Sequence, residues 1–171
     1  MAPHLPPAGQ RVLGVDPGLN ITGYGVLEWS TTGVRLREGG VIRGRSSGSL
    51  EERLARIHDG LVEVIAEFNP TVMALEQLYS HYERPRTAIL MGHARGVICL
   101  AAAQAKISVV DYAATRVKRL LTGSGRSPKS QIQAAVQREL QLPKLPEPAD
   151  VADALAIALC HLHATRAAVQ W

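Results

Sequence analysis

The stretch Val12 to Val26, VLGVDPGLNITGYGV, does most to limit how this chain can fold. An apolar run, Val12-Leu13-Gly14-Val15, stops at Asp16. Pro17-Gly18 then turns the chain, and a second strand-like run carries Gly23, Tyr24, Gly25 and Val26. An acid therefore sits where a buried strand meets a turn, with glycines on both sides. Glycine has no side chain, so another backbone or a ligand can approach closely there. A carboxylate held in such a place is costly unless it meets a cation, which points to a divalent metal working on a nucleic-acid phosphate. Asp before Pro-Gly is also ordinary turn chemistry, so a solvated turn residue fits the same letters.

The pattern returns further on. Thr71 to Leu75, TVMAL, is apolar on both faces, as a central strand covered by helices would be, and it ends at Glu76. Between the two acids, Gly33 to Arg43 reads as a third strand of an antiparallel meander. Leu50 to Phe68 carries a helical stripe through Leu54, Ile57, Leu61, Val64 and Ile65, introduced by a polar break at Ser46 to Ser49 and stopped by Asn69-Pro70. An Ala-rich helix over Thr87 to Ala105 follows, then a strand over Ile107 to Asp111. Helices over Ala113 to Leu121, Pro128 to Leu140 and Asp150 to Ala168 complete the chain. Three leading strands and then alternating helices and strands predict an α/β domain with a mixed five-stranded sheet and helices on both faces. We place this domain at residues 11–168, behind a Pro-rich, disordered tail at 1–10.

The last helix opens with Asp150 and Asp153, three residues apart and so on one side. A single Asp there is a helix cap. A second like charge ahead of an all-apolar, buried segment is less economical, although capping and the helix dipole accommodate both. If the strands carrying Asp16 and Glu76 are neighbours and this helix crosses their ends, four carboxylates converge. They cannot all stay ionised without cations. Oxygen ligands in that number suit magnesium or manganese. Zinc is not indicated, because His161 and His163 face apart and no Cys or His pair has zinc spacing. Two such ions could clamp the attacking water and the leaving oxygen of a phosphodiester.

Charge supports a polyanionic partner. The net charge is +4, and fifteen of the nineteen bases are Arg, the better residue for forked contacts to phosphate. With those four acids neutralised by cations, eleven acids face nineteen bases. No stretch is long enough to span a bilayer and no signal peptide is visible, so a cytoplasmic protein without membrane contact is expected. Cys99 and Cys160 sit in Ala/Leu-rich helical runs and read as core thiols, not a disulfide. GSGRSPKS, residues 123–130, misses a phosphate-binding loop: Pro128 replaces the glycine before Lys129, and the run follows a helix. Tyr79 and Tyr82 with Arg84 and Arg86 form an aromatic and basic loop suited to stacking on exposed bases. Gly92 and Gly96 allow close helix contact, at a dimer face or in the core.

VLGVDPGLNITGYGV, ALEQ followed by Tyr79, the ARG at Ala94 to Gly96, DYAATRVKRLLTGSGRSPKSQIQ, and ADVADALAIALCHLH together resemble the RuvC Holliday-junction resolvases, in order and spacing, from about Arg11 to Ala164. The resemblance implies an RNase H-like fold and a homodimer that nicks two opposed strands of a four-way DNA junction symmetrically, in recombination and repair. It implies two Mg2+ per subunit, with Mn2+ as the alternative, and products ending in 5′-phosphate and 3′-hydroxyl. It places the catalytic and metal-binding acids on Asp16, Glu76, Asp150 and Asp153, and DNA contacts on Tyr79, Arg84, Arg86, Lys118 and Lys129. A partnership with the RuvA-RuvB branch-migration complex is also implied. Some members carry His at the position of Asp150, and some carry Phe at that of Tyr79. Two other readings compete: half of an actin-like ATPase, for which a second acidic Gly-rich hairpin is lacking, and a junction-binding protein without activity, which leaves four acids facing a polyanion unexplained.

Overall fold

The computed structural model describes residues 7–45, 47–78 and 84–167. Strands β1 (Arg11–Asp16), β2 (Ile21–Ser30) and β3 (Gly33–Arg43) form the antiparallel meander. Strands β4 (Val72–Glu76) and β5 (Ser108–Tyr112) join the other side of β1 in parallel, so the sheet runs β3-β2-β1-β4-β5. Five helices accompany it: α1 (Leu50–Phe68), α2 (Pro85–Gln104), α3 (Ala114–Thr122), α4 (Lys129–Glu139) and α5 (Ala149–Ala167). The expected mixed five-stranded α/β architecture is the one observed.

Strand alternation divides the apolar residues between two cores. Leu13, Val15, Met73 and Leu75 face α1 and α2, where they meet Ile57, Leu61 and Ile98. Val12, Val72, Ala74 and Tyr112 face the other way and meet Val117 of α3, Ile132 of α4, and Leu155 and Ile157 of α5. Two covered faces explain why β1 and β4 read as unbroken apolar runs. They also explain α5, whose residues Ala154 to Leu159 are all at most 1% exposed. The helix lies directly on β1: a Cβ at Gly14 would stand 2.1 Å from the Ala154 carbonyl oxygen.

Local chemistry sets the ends of these elements. Ser49 caps α1 with a reciprocal bond to Glu52, the capping box in which side chain and backbone exchange hydrogen bonds. Asn69, in the left-handed region at φ 47°, closes it by donating its N–H to the Ile65 carbonyl. On the other face, Tyr112 Oη and His161 Nδ1 share a buried hydrogen bond of 2.9 Å that ties β5 to α5. Cys160 is buried and Cys99 half-buried, and both are free thiols as expected.

The structure narrows two expectations. The last residues of the expected tail are paired: Gly9 donates to the Trp29 carbonyl and Trp29 donates to that of Gln10, both at 2.8 Å, which prolongs the β1–β2 ladder. Residues 1–6 lie outside the described residues. Gly92 and Gly96 are not packed in the core, because a Cβ at either would meet nothing within 4 Å. No described helix is long and apolar enough to cross a membrane.

Candidate active site

Pairing register sets the first two acids. Val15 of β1 lies opposite Leu75 of β4, so Asp16 and Glu76 are the next residues on adjacent parallel strands, about 4.8 Å apart at the backbone by sheet geometry. Gly14 and Ala74, two residues earlier, face α5. By alternation Asp16 and Glu76 face it too.

A strip of bare backbone brings the other two acids. Gly23 of β2 pairs with Asp16. A Cβ there would stand 2.1 Å from the carbonyl oxygen of Asp150. The first turn of α5 therefore rests on the ends of β1 and β2, with Asp150 and Asp153 beside the strand-end acids. The backbone that the glycines admit is that of α5.

The electrostatics bear the marks of this crowding. Burial, and then the charges of Glu76, Asp153 and Asp150, push the Asp16 carboxyl up to about 8, against the pull of Lys129. Glu76 is raised by burial and by Asp153, opposed by Lys118 and Lys129. Lys129, the first residue of α4, donates from Nζ to Asp153 Oδ2 at 3.0 Å, and that bond raises its own affinity for a proton. Lys118, on α3, acts on Glu76 through space. Both lysines thus stand beside the acids.

Among the described residues no three His, Cys, Asp or Glu side chains are gathered tightly enough, as they stand, to hold one ion. The donor set nevertheless fits a hard divalent cation. It is composed of carboxylates, and one of them holds its proton into neutral pH unless another positive charge arrives.

A cleft of about 830 Å³ opens beside the acids, lined among others by Asp16, Glu76, Arg84, Thr87, Met91 and Arg95. Arg84 is thus in the wall. Arg86, exposed on the first turn of α2, is not among the lining residues. Tyr79 and Tyr82 lie outside the described residues. Arg95 received no role from the sequence, although it is the centre of the ARG motif. It donates from Nη1 to the main-chain carbonyl of Glu76 at 2.6 Å, and from Nη2 to the carboxylate of Asp111. An Arg in the middle of a helix whose other interior residues are mostly Ala, Gly and aliphatic was the available signal.

Comparison with known proteins agrees with this geometry. The model of the family crossover junction endodeoxyribonuclease RuvC matches residues 12–161. The RuvC of Rhodopirellula baltica is 61% identical over 155 residues, covering 91% of this chain and 87% of that protein. The RuvC of Desulforamulus reducens is 42% identical, covering 88% and 91%. Among solved structures, Thermus thermophilus RuvC superposes with a TM-score of 0.84 at 34% identity, over 94% of this chain and 98% of that one. The same protein in complex with a Holliday junction substrate gives 0.86 at 33%, over 94% and 97%. Carboxylates at the ends of adjacent strands, a helix laid across glycines to add two more, and a match spanning nearly the whole chain lead to one assignment: this protein belongs to the RuvC family of crossover junction endodeoxyribonucleases.

Proposed function

We propose that this protein resolves four-way DNA junctions by hydrolysing one phosphodiester on each of two opposed strands, leaving 5′-phosphate and 3′-hydroxyl ends, in recombination and repair. Asp16, Glu76, Asp150 and Asp153 form the reacting centre and would hold two Mg2+, or Mn2+ in its place. The observation that carries this reading is the register that sets Asp16 beside Glu76 under the first turn of α5. The family match supports it, since the T. thermophilus relative was solved with a junction substrate.

When bound, divalent ions supply charge to activate water and to stabilise the leaving oxygen. The chain's own residues do the rest. The strand ends hold Asp16 and Glu76 on rigid elements, and the helix holds Asp150 and Asp153 against them. Lys129, which donates to Asp153, would be free to turn to the phosphates together with Lys118 if divalent ions took over the neutralisation of the acids. Arg84, Arg86 and Tyr79 extend that contact along the DNA.

Paired nicks need two like sites related by a twofold axis. The outward face of α2 is suited to supply it. Ile89 is 62% exposed and Leu100 49% exposed, with the bare positions Gly92 and Gly96 between them. A homodimer across this face, cooperation with a RuvA-RuvB complex, and a cytoplasmic location complete the proposal. An ATPase half and an inert junction binder are both disfavoured by the family match.

The test is incubation with a synthetic four-way junction and Mg2+ or Mn2+, with products mapped to the nucleotide. The wild type is expected to cut two opposed strands at symmetric positions. Asp16→Asn is expected to bind the junction and leave it whole; equal loss of binding and cutting would make Asp16 structural. Leu100→Asp is expected to give a monomer by sedimentation and to uncouple the two nicks.

A further inference from the structure

Asp16 and Glu76 face α5, which carries the other two acids, but Glu76 is held from behind. Arg95 belongs to α2, on the opposite side of the sheet. Its guanidinium reaches the end of β4 and donates to the main-chain carbonyl of Glu76 at 2.6 Å. Its other arm meets the carboxylate of Asp111 on β5, the strand whose Asp111 is in register with Leu75. We propose that Arg95 is a positioning residue: it fixes the peptide that carries Glu76, and through it the place of the Glu76 carboxylate at the reacting centre. The inference rests on the assignment of Glu76 to that centre.

Three features distinguish this contact from a surface ion pair. First, it falls where the ladder runs out. Beyond the Glu76–Tyr112 pairing, the backbone bond from the Gln77 N–H to the Tyr112 carbonyl at 2.9 Å is, among the described residues, the last that joins β4 to β5. A strand end with few bonds frays, and fraying there would move a carboxylate whose position matters. Second, the geometry calls for a fork. One planar group serves two acceptors on two strands, a carbonyl and a carboxylate, which a lysine ammonium on a flexible stem does poorly. The Arg95 side chain is 18% exposed and its partner Asp111 49%, so the fork is half-sheltered within the cleft wall. Third, the cations that act on the Glu76 carboxylate itself are Lys118 and Lys129. Arg95 grips the main chain instead. The arrangement also joins the helix offered for self-association to the strand end that carries a reacting group, because Arg95 is followed directly by Gly96 on the open face of α2.

The experiment compares Arg95→Met, Arg95→Lys, Asp111→Asn and Glu76→Gln with the wild type. Three quantities are read: junction affinity without divalent ions, the single-turnover cleavage rate at saturating protein, and hydrogen exchange of the Gln77 amide in the metal-free protein. A displacement of about 1 Å at a reacting group costs on the order of 100-fold in rate. Arg95→Met is therefore expected to slow cleavage by about 10- to 100-fold and to speed Gln77 exchange, with junction affinity within about threefold of the wild type. Arg95→Lys, which keeps the charge and one donor, is expected to recover part of the rate. Asp111→Asn, which frees one arm of the fork and removes only a half-exposed charge, is expected to lose a smaller part. It also keeps the inference testable if Arg95→Met does not fold. Lost affinity with an unchanged rate in the bound complex would make Arg95 a DNA contact and overturn the proposal. An unchanged rate and unchanged exchange would overturn it equally. Cleavage by Glu76→Gln at the wild-type rate would remove Glu76 from the centre, which is failure of the underlying assignment; a dead Glu76→Gln beside a fully active Arg95→Met would be failure of this inference alone.

Discussion

Replacing Asp16 by Asn is expected to stabilise the metal-free protein while ending cleavage. The Asp16 carboxyl keeps its proton to about 8, against 3.8 for an ordinary Asp, chiefly because of burial and then because of its three acidic neighbours. The folded state therefore binds that proton more tightly than the unfolded chain does. Below 3.8 both states are protonated and the residue costs nothing. Between 3.8 and about 8 the unfolded chain releases its proton first, so folding stability falls as pH rises; above about 8 the loss is complete. At ~1.4 kcal/mol per pH unit this interval sets a ceiling of about 6 kcal/mol. Access of water and salt through the cleft, and relaxation of the carboxylates, lower the expected figure to about 2–3 kcal/mol. Asn has nearly the same shape and no proton to lose, so the penalty disappears. The assay is urea unfolding of both proteins in a chelator at about pH 5 and about pH 8.5, then again with millimolar Mg2+. The variant is expected to be the more stable protein in chelator, with the gap wider at the higher pH. Magnesium is expected to narrow the gap, because it stabilises the wild type in proportion to its binding. His161, whose buried ring has a lowered proton affinity, tilts the pH profile in the opposite sense, but it is common to both proteins and cancels in the difference. A variant no more stable than the wild type at about pH 8.5, or a gap independent of pH, would refute the reasoning.

Two further outcomes follow from the packing. Gly23→Ala puts a methyl 2.1 Å from the Asp150 carbonyl; lifting the first turn of α5 is expected to cost about 1–3 kcal/mol in unfolding free energy and on the order of 100-fold in cleavage rate. Tyr112→Phe leaves His161 Nδ1 buried without its partner, a loss of about 1–3 kcal/mol read from the urea midpoint.

Much of the fold was legible because the chain declares its elements locally. The apolar runs ending at Asp16 and Glu76, the Ser49 cap and the Asn69-Pro70 stop each follow from residues close in sequence, and the elements fall within a residue or two of where the patterns put them. The convergence of Asp16 with Glu76 was legible in outline, since a strand apolar on both faces belongs in the middle of a sheet. The contribution of Arg95 was not, because its partners, a main-chain carbonyl and a half-exposed Asp111, leave no trace in periodicity. The bond between Lys129 and Asp153 was hidden for the same reason: α4 and α5 are separate helices, and only their packing brings residues 24 apart in sequence to 3.0 Å. Gly92 and Gly96 were ambiguous because a glycine that admits a neighbour and a glycine that faces open space have the same letter; Gly14 and Gly23 prove to be the first kind and Gly92 and Gly96 the second.

The placement of the acids bears on why folding tolerates them. Each sits at the end of an element whose body is buried on both sides: β1 and β4 between two cores, α5 within one. Repulsion among the four cannot be relieved by letting a loop swing away, because moving Asp16 means moving Val15 and moving Asp153 means moving Ala154, both fully buried. The surrounding core therefore supports a destabilised cluster. Lys129 offsets part of that cost by standing at Asp153, yet it comes from the exposed first residue of a different helix, with a side chain 70% exposed. It can leave without disturbing the sheet. A cluster with rigid anions and a movable cation can exchange that cation for others, and such exchange is what the proposed site, taking divalent ions and a phosphate backbone, would require.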